Sequence, residues 1–254
     1  MLKFGQITVV ATIALLTIGV IDFFFKISPI LYVTILLLWF LIVALGSFTM
    51  RWQIFTTAFT KGNQNKKQVA ITFDDGPNAE FTPQILQILK AYNAKATFFC
   101  IGKHIEKYLG IVQQILAEGH TIGNHSYSHA TNFGFFRKTR IVQELSKTDA
   151  LIKKITGSTN TLFRPPYGVT NPSIAKAVKE TNHTIIGWNV RSYDTVIKNP
   201  TKVLNRLKKR LSPGSIILLH DTHSRCPEIV ERLLQFLKKE GYEAVTIETL
   251  LTKN

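Results

Sequence analysis

Cysteine is nearly absent from this 254-residue chain. Cys100 and Cys226 are the two present, and they form no spacing motif, so one disulfide is permitted and none is required. Acidic residues are also scarce, with 16 Asp and Glu against 31 Lys and Arg and a formal charge of +15. Internal repeats and low-complexity tracts are lacking, which leaves one domain of moderate size plus appendages. Charge itself is missing from the first fifth of the chain. Between Leu2 and Arg51 only Lys3, Asp22, Lys26 and Arg51 are charged.

That uncharged stretch holds two apolar runs, residues 7–25 and 30–48, each about the ~20 residues that cross a bilayer as a helix. Lys26, Ser28 and Pro29 separate them as a tight hairpin. A cleaved signal peptide has an apolar region of only ~7 to 15 residues, so two retained transmembrane helices are expected, in contact with membrane lipid. Asp22 lies near the end of the first run, where it serves as an interfacial anchor. Three bases and one acid fall in residues 1–51, which leaves thirteen of the fifteen excess positive charges for the remainder. Such a surface suits anionic neighbours, but much of the charge is lysine on predicted helices, so a solvated face is expected and no nucleic-acid partner. The positive-inside tendency of Arg51, Lys61, Lys66 and Lys67 favours a cytoplasmic domain, and an external substrate would favour the opposite side. The expected layout is a membrane anchor over 1–51, a linker over 52–67 and a folded domain over 68–254.

In that domain short apolar runs alternate about seven times with amphipathic stretches. The predicted strands are 68–73, 96–101, 121–123, 161–163, 184–188, 215–219 and 243–247. The predicted helices are 82–91, 104–118, 139–155, 172–181, 200–211 and 227–239. This alternation predicts an α/β fold with a parallel sheet, either open or closed as a barrel. Polar residues collect where strands end. The run from Val69 to Pro77, V-A-I-T-F-D-D-G-P, ends a strand in Asp74 and Asp75, which face opposite ways on extended backbone and so have different tasks. Later ends lead into Asn124-His125-Ser126-Tyr127-Ser128-His129, Arg164-Pro165-Pro166-Tyr167-Gly168, Trp188 to Asp194, and His220-Asp221. His125 and His129 share one face of a turned backbone, and two imidazoles with one carboxylate suit a divalent ion, zinc first, with cobalt, nickel or manganese fitting the same set.

T-F-D-D-G-P, H-S-x-x-H, R-P-P-Y-G and the late I-x-L-x-H, in this order, resemble the motifs of the polysaccharide deacetylases, carbohydrate esterases with the NodB homology domain. The likeness spans about residues 68–250. It implies an irregular (β/α) barrel of seven or eight strands and metal-dependent removal of acetyl groups from N-acetylated sugars of a glycan such as peptidoglycan or chitin. By resemblance Asp74 is the general base, and Asp75, His125 and His129 hold the metal. Arg164 orients Asp74, the backbone N–H of Tyr167 holds the oxyanion, and His220 is the general acid. Leu218 lines the acetyl pocket, and Pro166 belongs to the same substrate surface. The family often shows two aspartates three apart and then an aromatic, where this chain has Arg191, Asp194 and Thr195. Asp194 is expected to hold His220, and Arg191 to favour an anionic sugar or to pair with Asp194. Trp188 is expected in the core. Alternatives are a silent membrane-anchored glycan-binding protein, or a hydrolase of another non-peptide amide such as a cyclic imide or ureide.

Overall fold

The computed structural model describes residues 2–252. Helices α1 (Phe4–Phe25) and α2 (Pro29–Phe48) form an antiparallel hairpin apart from the sheet, with mean hydropathies of 2.3 and 2.5 and almost no burial against the protein. Asp22 sits at the turn, where it accepts from the Ile27 N–H and the Tyr32 hydroxyl, as suits an end-of-helix anchor. At the open end, the Phe4 N–H donates to the Ile54 carbonyl at 2.9 Å and Lys3 Nζ to the Gln53 carbonyl at 2.9 Å, so the N-terminus lies beside the entrance to the domain.

The domain follows as β1 (Ala58–Phe59), β2 (Gln68–Asp74), α3 (Phe81–Ala91), β3 (Ala96–Cys100), α4 (Gly102–Lys107), α5 (Leu109–Ala117), β4 (Thr121–Asn124), α6 (Lys138–Thr156), β5 (Leu162–Phe163), α7 (Pro172–Glu180), β6 (Thr184–Ile186), β7 (Val190–Arg191), α8 (Pro200–Arg210), β8 (Ile216–His220), α9 (Cys226–Lys239), β9 (Glu243–Ala244) and α10 (Ile247–Leu251). The strands pair in parallel in the order β1-β6-β5-β4-β3-β2-β8-β7, with β9 also on β2. The sheet curls into a partly closed barrel of the expected kind. Between its edges, residues 187–189 make the crossing from β6 to β7: the Gly187 N–H donates to Phe59, and the Asn189 N–H to Ile216. Strands β2, β3 and β8 are almost wholly buried apolar runs, as parallel strands covered by helices must be. The covering helices turn apolar stripes inward, Ile85, Leu86 and Leu89 from α3 and Ile229, Leu233 and Leu237 from α9. Helices α7 and α8 each begin with an Asn cap followed by proline: Asn171 accepts from the Ile174 N–H at 2.9 Å and Asn199 from the Lys202 N–H at 3.1 Å.

Four expectations need correction. The stretch 52–67 is docked and not a free linker: Ile54 and Ala58 are buried, β1 pairs with β6, and Lys61 bridges Ser215, because its first half carries apolar residues that the sheet edge can cover. The helix expected over 104–118 breaks at Tyr108, although Ile105, Val112 and Ile115 keep one buried face, so the apolar period does not register the break. The strand expected over 184–188 ends at Ile186. The last strand ends at Ala244, since Thr246 caps α10 by accepting from the Thr249 N–H. Both cysteines are free and buried.

Candidate active site

The polar strand ends meet on one face of the barrel, at the carboxyl ends of the strands. Register brings Asp74 of β2 beside Phe99 of β3 and His220 of β8, while Asn124 at the end of β4 pairs with Phe163 of β5, directly before Arg164. Asp74 is the last residue of its strand, and the chain turns at Asp75, which holds φ at 71°. The turn needs Gly76, because a side chain there would collide with the carboxyl of Asp221.

Asp75 Oδ1 lies 3.3 Å from His125 Nε2 and 3.2 Å from His129 Nε2. Ligands bound to one tetrahedral ion at about 2.0–2.1 Å stand about 3.3 Å apart, so the three atoms fit a single divalent ion. His125 Nδ1 faces the Arg164 carbonyl at 2.7 Å, which takes the ring proton on that side and leaves Nε2 its lone pair. Burial, then the charge of the neighbouring His125, lowers the His129 pKa to about 4, whereas at His125 burial is outweighed by the carboxylates of Asp74 and Asp75, which raise its pKa. The loop that carries the pair is tied by Glu144 of α6, which accepts from the Tyr127 N–H at 3.1 Å, the Ser128 N–H at 2.7 Å and the Ser128 hydroxyl at 2.8 Å. His104 Nδ1 meets the Asp75 carbonyl at 2.8 Å and so holds the strained turn.

Asp74 is buried, and its Oδ1 receives Arg164 NH1 at 2.7 Å. Arg164 is wholly buried inside the barrel. It also donates to the Thr72 hydroxyl at 2.7 Å and to the carbonyls of Ile186 at 3.0 Å and Gly187 at 3.1 Å, and its guanidinium lies 4.1 Å from the centre of the Phe99 ring. All three nitrogens of that guanidinium donate to fixed acceptors. Asp74 Oδ1 is therefore pinned, and Oδ2, 3.9 Å from His125 Nε2, is left to face the three ligand atoms.

Across the site, Asp194 Oδ1 meets His220 Nδ1 at 2.9 Å, and Asp194 Oδ2 accepts the His220 N–H at 2.8 Å. Burial alone would lower the His220 pKa, but the bond and charge of Asp194 outweigh it and push it up to about 9. Asp194 is also buried, and the bonds from His220 and His223 hold its pKa below the usual carboxylate range. Ser192 Oγ donates to Asp194 at 2.6 Å and His223 Nε2 approaches it at 3.1 Å. Leu218 is buried two residues before His220 on the same strand. Pro166 is buried in the turn after β5, and Tyr167, at φ 60°, lays its half-exposed ring 4.8 Å from that of His129.

One expected residue stands apart. Arg191 is exposed, takes no part in the Asp194 cluster, and stacks on Tyr193 at 4.7 Å and on Trp188 at 5.8 Å. Trp188 is half-buried at the crossing between β6 and β7. Thr72, His104, Glu144, Ser192 and His223 escaped the sequence reading, because their partners lie in other elements. Ser192 alone had a local signal, two residues from Asp194.

Residues 61–186 match the family model described as polysaccharide deacetylase. The chain is similar to a peptidoglycan-N-acetylglucosamine deacetylase of Bacillus cereus, at 37% identity over 74% of this chain and 70% of that protein. It is also similar to the peptidoglycan-N-acetylmuramic acid deacetylase PdaC of Bacillus subtilis, at 34% identity over 73% of this chain, and it spans only 39% of that longer relative. Among solved structures, that of the Bc1960 peptidoglycan N-acetylglucosamine deacetylase in complex with 4-naphthalen-1-yl-N-oxidanyl-benzamide superposes with a TM-score of 0.72 at 35% identity, covering 77% of this chain and 92% of that one. Motif order, barrel and relatives agree, and this chain belongs to the polysaccharide deacetylase family.

Proposed function

We propose that the protein is a metal-dependent N-deacetylase that hydrolyses the acetamido group of N-acetylhexosamine units in a peptidoglycan-type glycan. The observation that carries this reading is the meeting of Asp75 Oδ1, His125 Nε2 and His129 Nε2, with Asp74 Oδ2 facing them. A divalent ion held by those three atoms, which we read as zinc, supplies a Lewis acid for the amide carbonyl. Asp74 Oδ2 takes the proton of the attacking water, while Arg164 keeps the carboxylate in place. The Tyr167 N–H donates to the oxygen that gains charge, a contact that is worth roughly 2.7 to 4 kcal/mol in comparable sites. His220, protonated and oriented by Asp194, gives its proton to the departing nitrogen. Leu218 and Pro166 receive the acetyl methyl, and the products are acetate and a free amino sugar. Replacement of the first family aspartate by Arg191 leaves this acid intact, since Asp194 reaches His220 without it.

The two N-terminal helices are read as a membrane hairpin, supported by their length, their apolar exteriors and the capped turn at Asp22. Residues 1–51 then form the anchor, and 52–67 lie against a catalytic domain read over 68–254. The test of reaction class is mass spectrometry of N-acetylglucosamine oligomers and peptidoglycan fragments after incubation with the protein. Acetate and a matching free amine are expected. Intact acetamides on every substrate would overturn the reading.

A further inference from the structure

A polar cavity, of about 200 Å³, opens where α2 meets the domain. Its walls carry four arginines, Arg51 just past the end of α2, Arg191 of β7, and Arg206 and Arg210 of α8, and no acidic residue. None of the four forms an ion pair with a carboxylate of the described residues. Arg191 and Arg206 both lie against the Tyr193 ring, at 4.7 and 4.4 Å, and Arg206 Nε donates to the Arg191 carbonyl at 2.9 Å. Like charges crowded around one cavity repel unless an anion joins them, and guanidinium forks match phosphate oxygens in pairs. Phe48, the last residue of α2, is largely exposed at the mouth, which puts the arginines at the level where an apolar helix leaves the bilayer.

We propose that this cavity binds the phosphate or pyrophosphate group of a membrane lipid. The proposal rests on the reading of α1 and α2 as membrane-spanning and is independent of the deacetylation chemistry. Two carriers share this chemistry, a bulk anionic phospholipid and a prenyl pyrophosphate of the kind that carries sugars. From the cavity wall the chain runs from Arg191 and Tyr193 straight to Asp194, so an occupant would lie next to the segment that holds His220.

The test is native mass spectrometry of the full chain in neutral detergent with phosphatidylglycerol, phosphatidylcholine of the same acyl chains, or geranylgeranyl pyrophosphate. It is paired with flotation of the chain on phosphatidylcholine vesicles. An anionic lipid should bind at least about tenfold tighter than phosphatidylcholine, and the double variant Arg51→Gln/Arg210→Gln should lose that preference. Both arginines are exposed and make no hydrogen bond in the structure, so an unchanged melting temperature is expected. The exposed pair Lys209→Gln/Lys238→Gln removes the same charge elsewhere and should keep the preference. Equal binding of phosphatidylglycerol and the prenyl pyrophosphate assigns the cavity to bulk headgroups, and binding of the pyrophosphate alone assigns it to a prenyl pyrophosphate carrier; either supports the site. No preference, or equal loss in the lysine pair, overturns it. Failure to float overturns the membrane reading and the lipid carrier with it, whereas flotation without preference overturns the phosphate site alone.

Discussion

Asp75, Ser126, His129, Tyr167 and Tyr193 all hold positive φ angles, between 48° and 71°, although none is glycine. Such backbones cost of order 1–3 kcal/mol each and persist only where the surroundings fix them, and here the first four lie on the loops around the candidate ligands Asp75, His125 and His129, while Tyr193 directly precedes Asp194. Asp74 depends on Arg164 in the same way. Asp74→Asn should lower turnover about 10²- to 10⁴-fold while metal content, measured by atomic emission, stays the same. Lost metal would show Asp74 to be a ligand and not a base. For His220 the sign follows from its raised pKa. The acid must be protonated, so the rate falls as pH rises through it. The charges of Asp74 and Asp75 contribute to the value of about 9, and a cation on Asp75 offsets part of that. The basic limb of the kcat profile is therefore expected between about 6.5, the unperturbed value, and about 9. His220→Ala should abolish that limb along with most of the activity, and a variant that retains the limb would contradict the assignment.

Among the elements, the residues of the candidate site were legible because each sits where a short apolar strand gives way to polar residues. Asp74, His125, Arg164 and His220 were readable from their own neighbours. Their supports were not. Thr72 and Ile217 are 145 positions apart, and Glu144 reaches the histidine loop from α6. The turn from β6 to β7 was hidden for another reason. Gly187 and Trp188 prolong the apolar run, so a chain that changes sheet edge looks like one strand. Glu144 gives a test at this scale. Glu144→Ala removes the acceptor of two backbone N–H groups and one hydroxyl, frees the loop that carries His129, and should weaken metal binding about 10- to 100-fold in a competitive titration. Unchanged affinity would mean that the loop holds its shape without α6.

Across the whole molecule, the stretch that follows α2 is packed onto the barrel. Met50, Ile54 and Ala58 are buried against the domain, β1 extends the sheet, and the Thr170 N–H donates to the Ser47 carbonyl at 2.9 Å just after the R-P-P-Y-G turn. The polar run after Thr60 suggested a tether, because the apolar contacts that precede it are made with distant strands. A chain shortened to 61–254 loses Met50, Ile54 and β1. It should be less stable than one that begins at residue 49 by several kcal/mol, taking about 1.5–3 kcal/mol for each large buried side chain, as read from urea unfolding. Equal midpoints would show that the docking contributes nothing.

The most direct measurement is acetate release from N-acetylglucosamine oligomers by the full chain, before chelation, after it, and after zinc is restored. Activity that is lost to the chelator and returns with zinc in the wild type, but not in Asp75→Ala, is the predicted result. Release that persists in metal-free protein, or that Asp75→Ala recovers in full, would contradict the account.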